Sequence, residues 1–209
     1  KICLDSFKVK LKNLVLKLFY LPYFEKNKFN ITGPYGIVSG KLEKPIRDAQ
    51  WLRGFCMGYR SKLFENYLCP ESKGYNVLED IDSSYYVYKK DGKGSLVITP
   101  ECRAIHRYTP TARYAEKKRI FVNHEDHFAF YYLHFNNFLG TIKMLISLSG
   151  IILGHFCKFI ISPGKNNFLA LKYNLNAIVY CFKNRKNIKN KKYREFLNDD
   201  LTMKRLEIS

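Results

Sequence analysis

The stretch FLGTIKMLISLSGIILGHFCKFII, Phe138 to Ile161, limits what this chain can fold into more than any other. As a helix it would be ~36 Å long, more than the ~30 Å hydrocarbon core of a bilayer. Lys143 and Lys158 sit toward its ends, where a long side chain can reach the headgroups. His155, inside the run, counts against a bilayer-crossing segment. Two readings are open: a membrane helix, or a helix buried in a soluble core. SPGKNN breaks the run, and FLALKYNLNAIVYCF, Phe168 to Phe182, is a second apolar segment too short to cross unaided.

The other 185 positions have the means to build a core, because 46% of the 209 residues are hydrophobic and 16 Tyr and 16 Phe are among them. Charge narrows the partners. Thirty-six Lys and Arg against 18 Asp and Glu give +18 at pH 7, and seven of the twelve residues in KNRKNIKNKKYR, Lys183 to Arg194, are basic. An anionic lipid surface or a phosphate-bearing ligand fits. Nucleic acid does not: no recognised binding motif is present, and the basic residues gather in the tail instead of interleaving with an aromatic platform.

Six cysteines (Cys3, Cys56, Cys69, Cys102, Cys157, Cys181) include no CxxC pair, which argues against a zinc ribbon and a disulfide scaffold and for free thiols in a reducing compartment. Cys102 and His106 share Cys-x3-His spacing, but two ligands do not make a structural zinc site.

Local patterns give a coarse map. Val9, Leu11, Leu14, Val15, Leu18 and Phe19, set among lysines, fit an amphipathic helix and a poorly ordered leader equally well, and Pro22 ends the stretch. Residues 31–45 read as loop with one short strand at most. WLRGFCMGYR, from Trp51, reads as a strand and a tight glycine approach before a helix. EDIDSSYYVYKKDG reads as a helix with acids first, lysines last and Gly92 as its stop. SLVITPECRAIHRY reads as two short strands broken at Pro100, and Phe121 to Tyr132 as helix.

Three of these stretches, Trp51-x-x-Gly54-x-x-Met57-x-x-Arg60, Glu79-Asp80-x-Asp82 and Pro100 followed by His106, resemble in order and spacing the acceptor-side half of a family 2 glycosyltransferase. The resemblance covers Trp51 to about Arg113. It implies an α/β fold, an incomplete GT-A (Rossmann-like) sandwich followed by a mostly helical membrane-associated segment. It further implies an inverting transfer of sugar from a nucleotide-sugar donor to a glycan or lipid-linked acceptor.

The expected organisation is a connector and amphipathic leader over 1–50, the acceptor-side half over 51–120, membrane-associated helices over 121–182 and a basic cytosolic tail over 183–209. No Asp-x-Asp precedes Trp51, so the resemblance implies a fragment without its donor-binding half, inactive alone. A degenerate, non-catalytic membrane-associated module is the alternative.

By the same resemblance Asp80 is the general base that takes the acceptor hydroxyl proton, and Glu79 orients it or the acceptor. Asp82 lies on the substrate side of that helix start, as a cap or local charge partner. Trp51, Arg53, Gly54, Met57, Arg60 and Arg113 are substrate-side candidates: Trp51 as a stacking face, against which its burial as a core side chain has to be weighed, the arginines as phosphate forks, Gly54 as a point of close backbone approach. His106 is the candidate ligand for a divalent metal, Mn or Mg, expected in the complete enzyme. The partners implied are a nucleotide sugar, a glycan or lipid-linked acceptor and a membrane surface, with the catalytic part cytoplasmic.

Overall fold

The structure, a computed structural model, describes residues 7–52, 57–60, 62, 78–101 and 116–190. Six helices dominate it: α1 (Phe7–Leu18), α2 (Glu79–Asp91), α3 (Glu116–His134), α4 (Phe138–Ile161), α5 (Lys165–Lys183) and α6 (Arg185–Lys189). The strands are minimal: β1 (Tyr23–Phe24), β2 (Asn30–Ile31) and β3 (Ile37–Ser39) form one sheet in the order β1-β3-β2, with β1 parallel and β2 antiparallel to β3.

This corrects the expected sandwich. Among the described residues helix accounts for 61% and strand for 6%, and no α/β Rossmann-like layering is present. The physical reason lies in the sequence pattern. The long apolar and aromatic runs repeat at helical spacing, whereas a parallel sheet with crossover helices needs several strand-length apolar segments. Of the two strands expected around Pro100, the described part shows only a single antiparallel bridge between Ile46 and Ile98.

The chain divides into two compact units, neither continuous in sequence: Lys1–Cys69, Glu79–Arg107 and Asn137–Gly150 form one, and Pro70–Leu78, Tyr108–Asn136 and Ile151–Ser209 the other.

In the first unit α1 ends as a Schellman motif, with Tyr20 N–H donating to Lys17 O and Leu21 N–H to Leu16 O. Tyr20 holds the left-handed position (φ 48) that glycine usually occupies, and Pro22 prevents the helix from resuming. The core beneath it gathers Phe29, Tyr35, Val38, Ala49 and Trp51. The first half of α4 belongs to this unit: Ser147 Oγ donates to Tyr20 O (3.2 Å) and Lys143 Nζ to Thr32 O (2.8 Å). Gly150 meets Phe19 so closely that a Cβ there would stand 2.7 Å from the ring.

In the second unit α3 packs on α5, with Phe121 tilted against Tyr180 and Phe128 edge-on to Phe182, while Ile188 of α6 is buried. Asn174 of α5 joins three helices. Its amide donates to Ala170 O (2.7 Å) and faces His155 Nε2 of α4 (3.2 Å), which leaves its oxygen to accept from His124 Nε2 of α3 (2.9 Å). Burial lowers the pKa of His124 from 6.5 to about 4, although the Asn174 bond works the other way and His155 adds to the lowering.

That histidine makes stability depend on pH. Unfolded, His124 binds its proton near pH 6.5; folded, only near pH 4, so between these values the unfolded state holds more protons and stability rises with pH. The contribution is complete above pH 6.5 and is lost as pH falls toward 4, for a total of about 3 kcal/mol. His124→Gln keeps a donor for Asn174 but cannot titrate. Urea unfolding at pH 7 and pH 4.5 should show a smaller loss of stability for this variant than for the parent chain.

Candidate functional site

The acidic helix start is the natural centre of a candidate site. Glu79, Asp80 and Asp82 occupy the first turn of α2, where the positive end of the helix dipole favours carboxylates, and Lys89 and Lys90 occupy the last turn. Gly92 stops the helix in a left-handed conformation (φ 80), its N–H on Tyr88 O, and a side chain there would strain the turn.

The buried face of α2, with Ile81, Ser84, Tyr85 and Val87, fixes how the helix sits. Ser84 is fully buried and acts as its joint: its hydroxyl donates to Asp80 O (2.5 Å), accepts the N–H of Leu52 (3.0 Å) and lies 2.6 Å from the hydroxyl of Tyr59. With its one proton on Asp80 O, Ser84 accepts from Tyr59. One side chain therefore ties the segment that begins at Trp51 to the acidic helix start. Two of the three sequence stretches are brought together in this way.

The predicted residues divide into three groups. Glu79 is exposed and Asp80 half-buried, with Asp80 Oδ1 accepting the N–H of Ile81 (2.8 Å), so both carboxylates stand toward the open end of the helix. Asp82 and Trp51 are each only 6% exposed. The Trp51 indole donates to Val38 O (3.0 Å) and packs against Phe29, which makes it an anchor of the core, with no open ring face for a sugar. Met57 is half-buried and takes a contact from Tyr59 OH at 3.5 Å, and Arg60 is exposed. Arg53, Gly54, His106 and Arg113 lie outside the described residues.

Arg60 does line a cavity. About 650 Å³ in volume and half open, it is walled by Leu52, Tyr59, Leu96 and Val97, with Arg60, Asp91 and Lys93 as its charged groups. Lys93 also pairs with Asp48 at 3.1 Å. The cavity adjoins the C-terminal end of α2, and Asp91 is about 16 Å along the helix from Asp80. The cavity and the carboxylate pair are therefore at opposite ends of α2.

A metal does not fit the described carboxylates. Residues two apart on a helix point about 200° apart, so Asp80 and Asp82 do not converge on one ion. No group of three His, Cys, Asp or Glu able to hold a metal occurs among the described residues.

Sequence reasoning missed Ser84 and the His124–Asn174–His155 chain. The only signal for Ser84 is a pair of serines, Ser83 and Ser84, inside a helix where serine is otherwise unhelpful. Compared with protein-family models, with curated proteins and with solved structures, the chain shows no match.

Ser84→Ala tests the joint. It removes the acceptor for the buried Leu52 N–H and should destabilise the first unit by about 1–3 kcal/mol, read as a lower urea midpoint. Ser83→Ala loses only a hydroxyl turned back onto its own helix, at Glu79 O and Asp80 O, and should cost less than 1 kcal/mol by order of magnitude.

Proposed function

We propose that this chain carries the acceptor side of an inverting glycosyltransferase that works at a membrane, passing sugar from a nucleotide-sugar donor to a glycan or lipid-linked acceptor. The reading rests on the motifs and their juxtaposition, not on a sandwich fold. The observation that supports it is the Ser84 joint, through which Leu52 and Tyr59, both within the first motif, are hydrogen-bonded to the acidic helix α2.

In an inverting transfer the acceptor hydroxyl attacks the anomeric carbon as the nucleoside diphosphate leaves, and a carboxylate takes the hydroxyl proton. Asp80 is the group for this role. The helix N-terminus favours its ionised form and the Ile81 N–H orients its carboxylate, while the exposed Glu79 is placed to meet the acceptor. Arg60, on the cavity wall, is placed to receive an anionic group. On this reading His106, in the third motif, is the candidate ligand for the divalent metal.

Placement at the cytoplasmic face follows from the donor and from charge. Nucleotide sugars are cytosolic, and the Lys-rich run from Lys183 to Arg194 prefers the cytosolic side of a membrane. The burial of Trp51 and Asp82 favours a second reading, a membrane-associated module that has kept these packing residues without catalysis.

Asp80→Asn in the full-length protein, expressed in membranes and assayed by sugar incorporation, separates the two. It keeps side-chain size and removes the proton acceptor, so turnover should fall by ~10²- to 10⁴-fold with donor KM little changed. Turnover close to that of the parent protein would overturn the assignment of Asp80.

A further inference from the structure

Helix α4 has two faces of different kinds. At about 100° per residue, the buried Gly140, Met144, Ser147, Leu148 and Gly150 fall on one side. Phe138, Ile142, Leu145, Leu153, Phe156 and Ile160 fall within an arc of ~80° on the other, forming an apolar stripe ~33 Å long. Each of these six is at least 38% exposed. The helix is long and apolar enough to cross a bilayer, but its partners conflict with that position. Lys143 donates to Thr32 O, Ser147 donates to Tyr20 O, and Phe19 lies against Gly150, halfway along the helix. A crossing α4 would draw the irregular backbone around Tyr20 and Thr32 to hydrocarbon depth, where its polar groups find no water. A helix lying flat has one face on protein and the other in lipid, which is the division observed.

Helix α1 shows the same two-sidedness in the same unit. Asn13 faces inward, its amide on Phe24 O (2.8 Å), while Leu11, Leu14, Val15 and Leu18, at the i, i+3, i+4, i+7 spacing of one stripe, are 45–64% exposed. Lys10, Lys12 and Lys17 are exposed and, at about 100° per residue, flank that stripe on both sides. An apolar stripe edged by lysines matches a surface that is greasy beneath and anionic above.

We propose that α1 and α4 lie in the plane of an anionic membrane surface as a monotopic anchor, and that α4 does not cross the bilayer. This specifies the membrane attachment named above and is independent of glycosyl transfer, because the experiment reads attachment and depth with no enzymatic assay. The whole chain is mixed with vesicles of phosphatidylcholine, with and without 30 mol% phosphatidylglycerol (about the anionic share that gives a cytoplasmic-leaflet surface potential).

Binding should require the anionic lipid and weaken with salt. Leu145→Glu and Leu153→Glu should each lower partitioning about tenfold without loss of helical circular dichroism, and the triple change Lys10→Glu, Lys12→Glu, Lys17→Glu should abolish the lipid preference. Quenching by bromolipids of known depth, with the Trp51 signal of the parent chain subtracted, should place Leu139→Trp and Leu153→Trp at the same shallow depth. A deep Trp at 153 beside a shallow one at 139 would show a crossing helix and overturn the proposal. So would vesicle binding unchanged by both Glu substitutions, or no vesicle binding at all.

Discussion

A helix with apolar side chains all around its axis cannot be satisfied by one protein surface, and α4 is such a helix. Only five of its 24 residues are buried, all between Gly140 and Gly150, where small residues let the rest of the first unit come close. Gly150 admits the ring of Phe19, and Ser147 supplies a hydroxyl instead of bulk. The architecture of the first unit follows from that contact: α1 has to end where its last turn meets α4, and Tyr20 accepts a backbone conformation unusual for a side chain of its size to make the turn.

The site follows a different logic, in which polar groups set position and apolar groups supply most of the free energy. The buried face of α2 is part hydrophobic and part hydroxyl, and the hydroxyl of Ser84 uses its full hydrogen-bonding capacity on three partners. A buried hydroxyl with all its bonds made permits one arrangement of α2 against Leu52 and Tyr59, whereas apolar packing alone tolerates several.

The sequence announced elements whose signals are local. Residues 138–161 read as one helix because an unbroken apolar run meets Ser162, Pro163 and Gly164, and α4 has those bounds. Helix α2 was legible from its acids, lysines and Gly92, whereas the spacing before Pro22 fits a helix and a poorly ordered leader alike, and only the structure shows α1. The three strands were not, since two- or three-residue strands carry no period and their pairing is non-local. The expected sandwich failed for another reason: it was inferred from short motifs, and motifs of ten residues specify a site far better than they specify layers. Of the site residues, the acids were visible as a cluster. Which of them is buried was not, because Asp80 and Asp82 differ only in the side of the helix they occupy. The burial of Trp51 had been weighed against a stacking role, and only the neighbouring Val38 and Phe29 decide between them.

Asn174 has a further consequence. An amide cannot exchange its oxygen and nitrogen without rotating, so once its nitrogen serves Ala170 and His155, only a protonated nitrogen of His124 completes the set. The three helices it joins are therefore keyed like a lock with a single wafer. Sliding any of them by one residue would swing its member of the chain about 100° away and leave polar atoms stranded in a greasy interior. Aromatic packing between α3 and α5 would tolerate many registers, and this one amide selects among them.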